Sequence, residues 1–195
     1  VKERGRGDFS FYRRQMNVDH QTPMKMDHAM REALAEQRFR LVYQPQIDLR
    51  SGRLIGAEAL LRWKDPHMGE LSPGQFIPIA EETGFIVALG GWVLREAIRQ
   101  STEWHARGIG LTMSVNVSAV QFHQANFIES VSNLLRDSDL PPGRLELELT
   151  ESILVQNIEE TLIRLDALVA RGVRLAIDDF GTRYSSLAYI KRFPI

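Results

Sequence analysis

Strand-like segments alternate with helical ones along most of this chain, and this alternation constrains the fold more than any other feature. We predict strands at residues 40–48, 54–63, 111–118, 144–150 and 173–178, and helices at residues 27–37, 73–83, 90–107, 125–137, 158–171 and 185–192. Strands separated by helices indicate an α/β fold with parallel pairing. The turn at residues 50–52 is too short for a crossover, so we expect the first two strands to be antiparallel.

Polar residues recur with a period of two in these strands, so they share one face of the predicted sheet. Four strands end in a side chain with a carboxylate or amide oxygen on that face: Glu58, Asn116, Glu148 and Asp178. One interpretation is an antiparallel sheet whose polar face meets water. The intervening helices favour the other interpretation, in which this face lines a parallel barrel. Its rim then carries a site for hard divalent cations, which prefer oxygen ligands.

Five strands are too few to close a barrel, and an open parallel edge would be exposed to water. We therefore expect an incomplete domain, in which either further residues follow position 195 or another chain covers the edge.

Composition narrows the class of protein. Apolar residues make up 44% of the chain, which is ample for a packed core, and the formal net charge of -1 gives no reason to expect general attraction to nucleic acid or to a membrane surface. The absence of cysteine excludes disulfides and thiolate metal sites, and it fits a reducing compartment. We therefore expect a cytoplasmic location, although the parent protein could be tethered to a membrane.

Several motifs together carry a resemblance to a known family. They are Tyr43-Gln44-Pro45, Glu58-Ala59-Leu60-Leu61-Arg62-Trp63, Phe76-Ile77-Pro78-Ile79-Ala80-Glu81, Val115-Asn116-Val117-Ser118, Glu148-Leu149-Thr150-Glu151-Ser152 and Asp178-Asp179-Phe180-Gly181-Thr182. In this order and spacing, residues 27–195 resemble the EAL-domain cyclic-di-GMP phosphodiesterases. Residues 11–17 are similar to the end of a GGDEF diguanylate-cyclase domain. This similarity implies that residues 1–26 are the last strand of an upstream GGDEF domain plus a linker.

The resemblance implies a fold, an activity and a set of site residues. The fold would be a TIM-like (β/α) barrel with an antiparallel first strand, of which this chain covers about five of eight strands. The activity would be hydrolysis of cyclic di-GMP to linear pGpG with Mg²⁺ or Mn²⁺, using two ions. The implied metal ligands are Glu58, Asn116, Glu148, Asp178 and Asp179, and the implied catalytic residues are Glu58, Asp178 and Asp179. The implied nucleotide contacts are Gln44, Leu60 and Arg62, and Glu151 would brace the loop after the fifth strand.

Elementary chemistry agrees with this ligand set. Two cations can lower the pKa of an attacking water and stabilise the charge that develops on a phosphodiester. Carboxylate and amide oxygens suit Mg²⁺ or Mn²⁺ better than Zn²⁺. Arg62 could clamp a phosphate with two hydrogen bonds or could form a salt bridge at the rim. Gln44 could contact a guanine edge or cap a strand end.

Two departures from the family pattern leave the activity open. Arg183 stands where the family usually has a second glycine, and the family's catalytic lysine is not among these 195 residues. We therefore expect residues 1–195 by themselves to be inactive. The alternative function is a non-hydrolysing cyclic-di-GMP sensor or a regulatory module of a GGDEF-EAL protein. The family also makes a homodimer plausible.

Overall fold

One six-stranded mixed sheet organises the chain. The structure is a computed structural model that describes residues 14–150, 153, 157–178 and 193–194, with side chains from Pro23 onward. The strands are β1 (Phe39–Ile47), β2 (Leu54–Asp65), β3 (Gly69–Leu71), β4 (Thr112–Val117), β5 (Leu145–Thr150) and β6 (Arg174–Asp178). Their spatial order is β1-β2-β4-β5-β6, and β3 pairs with β2 outside this path.

The pairing follows the sequence pattern. β1 and β2 form an antiparallel hairpin whose turn contains Gly52 at a φ of +66°. The carboxylate of Asp48 accepts hydrogen bonds from the backbone N–H and the hydroxyl of Ser51, both at 2.7 Å, which stabilises this turn. β2, β4, β5 and β6 are parallel to one another. Both the parallel sheet and the antiparallel first strand are therefore confirmed.

The structure gives the bounds of six α-helices that accompany the sheet, and the described residue Ile153 is also helical. They are α1 (Arg14–Ala35), α2 (Pro73–Glu82), α3 (Ile86–Ala106), α4 (Ala119–Phe122), α5 (Phe127–Arg136) and α6 (Ile158–Val169). Gly108 and Gly172 follow the ends of α3 and α6 with φ values of +79° and +84°. Glycine adopts this left-handed conformation without steric cost, so the two predicted helix stops are confirmed. No helix within the described ranges has both the length and the apolar character that a bilayer crossing requires.

The apolar strand faces form the core under the helices. In β5, Leu145, Leu147 and Leu149 are fully buried, and they alternate with partly exposed polar residues. A second group of buried side chains lies where α1 and α2 meet the ends of β1 and β2, and it contains Trp63 and Phe76, whose ring centroids are 5.4 Å apart. Both rings are fully buried, as expected of packing residues.

The first helix starts earlier than predicted. Helix α1 begins at Arg14 rather than at residue 27, so the described part of the predicted GGDEF end and linker is helical, and residues 1–13 lie outside the described residues. Asp27 lies inside α1 and accepts hydrogen bonds from Arg31 one turn later. The buried stripe of Met26, Met30 and Ala33 has helical spacing, and packing of this stripe stabilises a helix that continues through Pro23.

Three further elements differ from the prediction. Helix α3 begins at Ile86 rather than at residue 90, so Gly90 and Gly91 lie inside it. The short strand β3 and the helix α4 were not predicted. The helix predicted at residues 185–192 lies outside the described residues.

Candidate functional site

The strand register brings the predicted ligands to one edge of the sheet. Asn116 on β4 lies opposite Glu148 on β5, and Asp178 lies opposite Thr150 in the neighbouring pair. Glu58 on β2 pairs with a residue two positions before Asn116. Parallel strands have their carboxyl ends at the same edge, and Asn116, Glu148 and Asp178 lie at or within two residues of those ends. Glu58 lies within β2 rather than at its end, but it is near the end of the parallel pairing of β2 with β4 and is hydrogen-bonded to Asn116, so it joins this edge. Asp179, Glu151 and Arg183 lie outside the described residues.

A direct hydrogen bond joins two of these side chains. The amide Nδ2 of Asn116 donates to Oε1 of Glu58 at 2.7 Å. This bond fixes the orientation of the amide group: its nitrogen faces Glu58, and its oxygen faces away from Glu58. An amide oxygen has two lone pairs and can act as a metal ligand.

The electrostatics of Glu148 show how close the acidic groups are. Burial, together with the negative charges of Glu58 and Asp178, raises the pKa of Glu148 to about 7. The nearby hydroxyl of Ser114, which donates its hydrogen bond to Oε1 of Glu146, lowers the pKa of Glu148 and so acts in the opposite direction. The edge therefore concentrates negative charge that a cation would neutralise.

The donor set fits hard divalent cations, because it consists of oxygen atoms from carboxylates and an amide. Within residues 14–150, 153, 157–178 and 193–194, however, no three His, Cys, Asp or Glu side chains form a group that could hold a metal ion. The structure thus brings four predicted ligands to one edge without a closed coordination sphere. Their role as ligands stays a prediction.

The predicted nucleotide contacts lie beside this edge. Gln44 on β1 is exposed and pairs directly with Glu58. The guanidinium of Arg62 donates to the carbonyl of Leu61 at 2.9 Å. No ion pair of Arg62 occurs among the described residues, so its proposed rim salt bridge is not seen there. Leu60 contributes to a cavity between the sheet and the helices.

That cavity has a volume of about 260 Å³ and lies between the end of the sheet and helices α2, α3 and α4. Most of its walls are apolar, and its polar lining includes Asn116, Thr150, Glu81 and Gln121. Burial raises the pKa of Glu81, which lies on α2. The cavity is continuous with the acidic edge because Asn116 belongs to both.

Gln121 is a site residue that sequence reasoning missed. It is only 5% exposed, and its amide lies against Gly90, where a side chain at position 90 would collide with it. Its position is set by Ser118, whose hydroxyl accepts a hydrogen bond from the backbone N–H of Gln121 at 3.1 Å and so caps α4. The spacing Ser118-x-x-Gln121 is a capping-box pattern, and it was the available signal for α4.

Fold and site together define a class of protein, an α/β barrel protein of the TIM-like type with an acidic edge at the carboxyl ends of its parallel strands. Residues 27–195 match the EAL domain family, and the chain therefore belongs to that family. This confirms the predicted family and the predicted TIM-like fold. The similarity of residues 11–17 to a GGDEF domain stays a prediction.

Curated relatives and a solved structure support this assignment. The chain is 44% identical over 195 residues to the bifunctional diguanylate cyclase/cyclic di-GMP phosphodiesterase MucR of Pseudomonas aeruginosa, a match that covers 100% of this chain and 28% of MucR. It is 44% identical over 163 residues to the cyclic di-GMP phosphodiesterase PA2567 of the same organism, which covers 82% of this chain and 27% of the relative. The chain thus spans a little over a quarter of the length of either relative. The solved structure of the PaMucR phosphodiesterase in complex with c-di-GMP matches with a TM-score of 0.84 and 46% identity, over 87% of this chain and 69% of that one.

Proposed function

We propose that this chain is part of a metal-dependent phosphodiesterase that hydrolyses cyclic di-GMP to linear pGpG. The observation that carries the proposal is the convergence of Glu58, Asn116, Glu148 and Asp178 at one edge of the sheet. The names of the relatives support the substrate, because MucR and PA2567 are described as cyclic di-GMP phosphodiesterases.

The proposed metal ligands are Glu58, Asn116, Glu148, Asp178 and Asp179, and the proposed catalytic residues are Glu58, Asp178 and Asp179. When bound, Mg²⁺ or Mn²⁺, in our proposal as two ions, would activate a water and stabilise the charge that develops on the phosphodiester. The protein's contribution is to hold the ligands in place. The hydrogen bond between Asn116 and Glu58 supports this role, because it orients two of them before any cation binds.

The nucleotide would lie across the same edge. The cavity beside Leu60 and Asn116 offers apolar walls and polar groups, a combination that suits a purine base. Arg62 would contact a phosphate, and Gln44 would contact a base from the neighbouring strand. Arg62 has no acidic partner within the described ranges, which keeps its guanidinium available for an anion. Glu151 would brace the loop after β6.

The wider setting is also a proposal. The bifunctional name of MucR supports an upstream GGDEF domain in the parent protein, with residues 1–26 as its end and linker. A homodimer and a cytoplasmic location belong to the same proposal. Residues 1–195 alone are expected to be inactive, because the family's lysine is not among them.

A second candidate function is a sensor that binds cyclic di-GMP without hydrolysis. The observation that favours it is the absence, among the described residues, of three acidic or histidine side chains that could hold a metal ion. The presence of Arg183 where the family usually has a glycine also favours a sensor.

A manganese titration of the intact parent protein tests the proposal and separates the two candidates. Linear product would be followed by chromatography for the parent protein, for its Glu58→Gln variant and for a Glu82→Gln variant, which makes the same change at an exposed helix position. We expect manganese-dependent product from the parent protein and from Glu82→Gln, and a loss of about a hundredfold or more in Glu58→Gln. Nucleotide binding without product in the parent protein would favour the sensor instead.

A further inference from the structure

The buried amide of Gln121 lines the cavity beside the acidic edge and has no partner among the described residues. We infer that this amide binds the edge of one guanine base of cyclic di-GMP, as the donor to O6 and the acceptor from N1–H. The inference rests on the proposed function, in which the nucleotide lies across the acidic edge. It gives a role to a residue that lies outside the motifs of the family resemblance and outside the predicted site.

Gln121 combines deep burial with an unused side-chain amide. The residue is only 5% exposed. Its backbone N–H is paired with the hydroxyl of Ser118, but its side-chain amide forms no hydrogen bond with any residue that the structure describes. Buried amides are normally paired, because an unpaired one has lost its hydrogen bonds to water without replacement. The partner that remains for this amide is whatever occupies the cavity.

The surrounding helices fix the position of Gln121. A Cβ atom at Gly90 would lie 2.5 Å from Cδ of Gln121 and 2.7 Å from its Nε2, so the missing side chain at position 90 of α3 leaves room for the amide. Arg164 on α6 donates to the backbone oxygens of Phe122 and Gln124 at 3.1 and 3.0 Å, and it thereby holds the end of α4. A side chain that is already held in place loses little freedom when a ligand binds.

The cavity has the size and lining of a site for one base. Its volume of about 260 Å³ is below the range of about 300–1,000 Å³ that is typical of sites for a whole drug-sized ligand. It therefore suits one base rather than the entire cyclic dinucleotide. Its apolar walls, which include Ile77 and Leu89, suit the faces of an aromatic ring. Gln121 is the most deeply buried of the polar residues that line it.

A primary amide matches the edge of guanine. The amide carries an N–H donor beside a carbonyl acceptor, and guanine presents the acceptor O6 beside the donor N1–H. Two parallel hydrogen bonds therefore form when the N–H of Gln121 donates to O6 and its carbonyl oxygen accepts from N1–H. Proteins read bases through this edge in pockets with apolar walls. The amide of Asn116 is less suited to this role, because its nitrogen already donates to Glu58 at 2.7 Å.

Gln121 also borders an open groove between α3 and α5. The cavity is the better place for the base, because Asn116 lines the cavity and belongs to the acidic edge as well. The described lining of the groove contains no residue of that edge. A base in the cavity thus lies next to the place where the phosphodiester is proposed to be cleaved.

The test is a calorimetric titration of the intact parent protein with cyclic di-GMP in EDTA, which removes the metal ions needed for the proposed hydrolysis. Gln121→Met keeps the length of the side chain and removes both the donor and the acceptor. We expect this variant to bind cyclic di-GMP about tenfold more weakly, because the edge of the base is then left unpaired in the cavity. The matched control is Gln124→Met, which removes an amide that donates to the carbonyl of Val120 and does not line the cavity. It should bind as the unmodified protein does.

The stability of the nucleotide-free protein separates this role from a structural one. Because the amide of Gln121 has no protein partner to lose, Gln121→Met should leave the melting temperature unchanged or raise it. With Mn²⁺ present, the variant should raise KM for cyclic di-GMP and change kcat much less. A lower melting temperature, or a failure of Gln121→Met to fold, would show that the amide has a structural role and would overturn the inference.

Turnover by the parent protein separates failure of this inference from failure of the proposed function. If the parent protein hydrolyses cyclic di-GMP and Gln121→Met binds it equally well, the proposed function stands and the role of Gln121 is refuted. If the parent protein binds the nucleotide without hydrolysis and Gln121→Met weakens that binding, the inference stands and the proposed hydrolysis fails. If the parent protein does not bind cyclic di-GMP, both fail.

Discussion

Replacement of Glu148 by glutamine should stabilise the metal-free protein at neutral and alkaline pH. Burial and the nearby charges of Glu58 and Asp178 together raise the pKa of Glu148 from an ordinary 4.5 to about 7. Because the folded state holds the proton more tightly than the unfolded chain does, stability is lost as pH rises from 4.5 to 7. Glutamine has nearly the same shape and no charge, so it removes this loss.

The magnitude follows from the size of the pKa change. At 1.36 kcal/mol per pH unit, a change from 4.5 to about 7 corresponds to roughly 3 kcal/mol. Glu148 is only partly buried, and water screens its repulsion from neighbouring acids, so we expect about 1–2 kcal/mol. Urea unfolding in EDTA would measure this gain at pH 8, and the gain should nearly vanish at pH 4.5.

The exposed Glu82 provides a control, since Glu82→Gln should change the free energy of unfolding by less than about 0.5 kcal/mol at either pH. The reasoning is refuted if Glu148→Gln is no more stable than the parent protein at pH 8, or if its gain is the same at both pH values. A gain at pH 8 together with lost activity is typical of a residue kept for function at a cost in stability.

Three further predictions test other parts of the molecule. Asn116→Ala should lower cyclic-di-GMP hydrolysis about a hundredfold, because it removes a proposed metal ligand. The circular dichroism spectrum should be retained, because the side chain of Asn116 is exposed near the end of β4. Activity close to that of the unmodified protein would contradict its role as a ligand. Gly56→Ala should lower the free energy of unfolding by about 1–3 kcal/mol, because the new Cβ atom would lie 2.9 Å from the backbone oxygen of Thr112. The control is Gly74→Ala, which should not destabilise the protein because no atom lies within 4 Å of its Cβ position. Equal urea unfolding midpoints for the two variants would count against the contact. Mn²⁺ affinity measured by calorimetry should increase as pH rises from 4.5 to 7, because protons compete with the cation for Glu148; an affinity independent of pH would argue against ligation by this residue.

The sequence predicted those elements whose residues have a strong period and clear end signals. The alternation of leucine and glutamate in β5 reflects one buried and one inward polar face, and Gly172 ends α6 at a positive φ. The start of α1 was missed because that part of the helix is polar and contains Pro23, so no apolar period marks it. Strand β3 has only three residues, and its pairing with β2 depends on a contact that no local pattern encodes.

The site was predictable only in part, because some of its contacts depend on the register between strands rather than on any single segment of the sequence. The position of Asn116 opposite Glu148 follows from the strands and their order. The hydrogen bond from the amide of Gln46 to the hydroxyl of Ser114 passes over Gly56, and it depends on the register of three strands, including a register shift after Gln46. A glycine in a strand indicates a close approach of some kind, but the sequence does not say which side chain makes it.

The reversed direction of β1 determines where the chain enters the barrel. Phe39, the first residue of β1, pairs with Trp63 near the end of β2, so the chain passes from α1 into the sheet on the same side as the acidic edge. A parallel first strand would have entered on the far side. Of all the strands, β1 follows α1 directly in the chain, so a rotation or shift of α1 would move β1 first. Gln44 lies on β1 and pairs with Glu58 on β2. If the parent protein carries the proposed upstream domain, entry from this side would give that domain a short mechanical route to the proposed ligands.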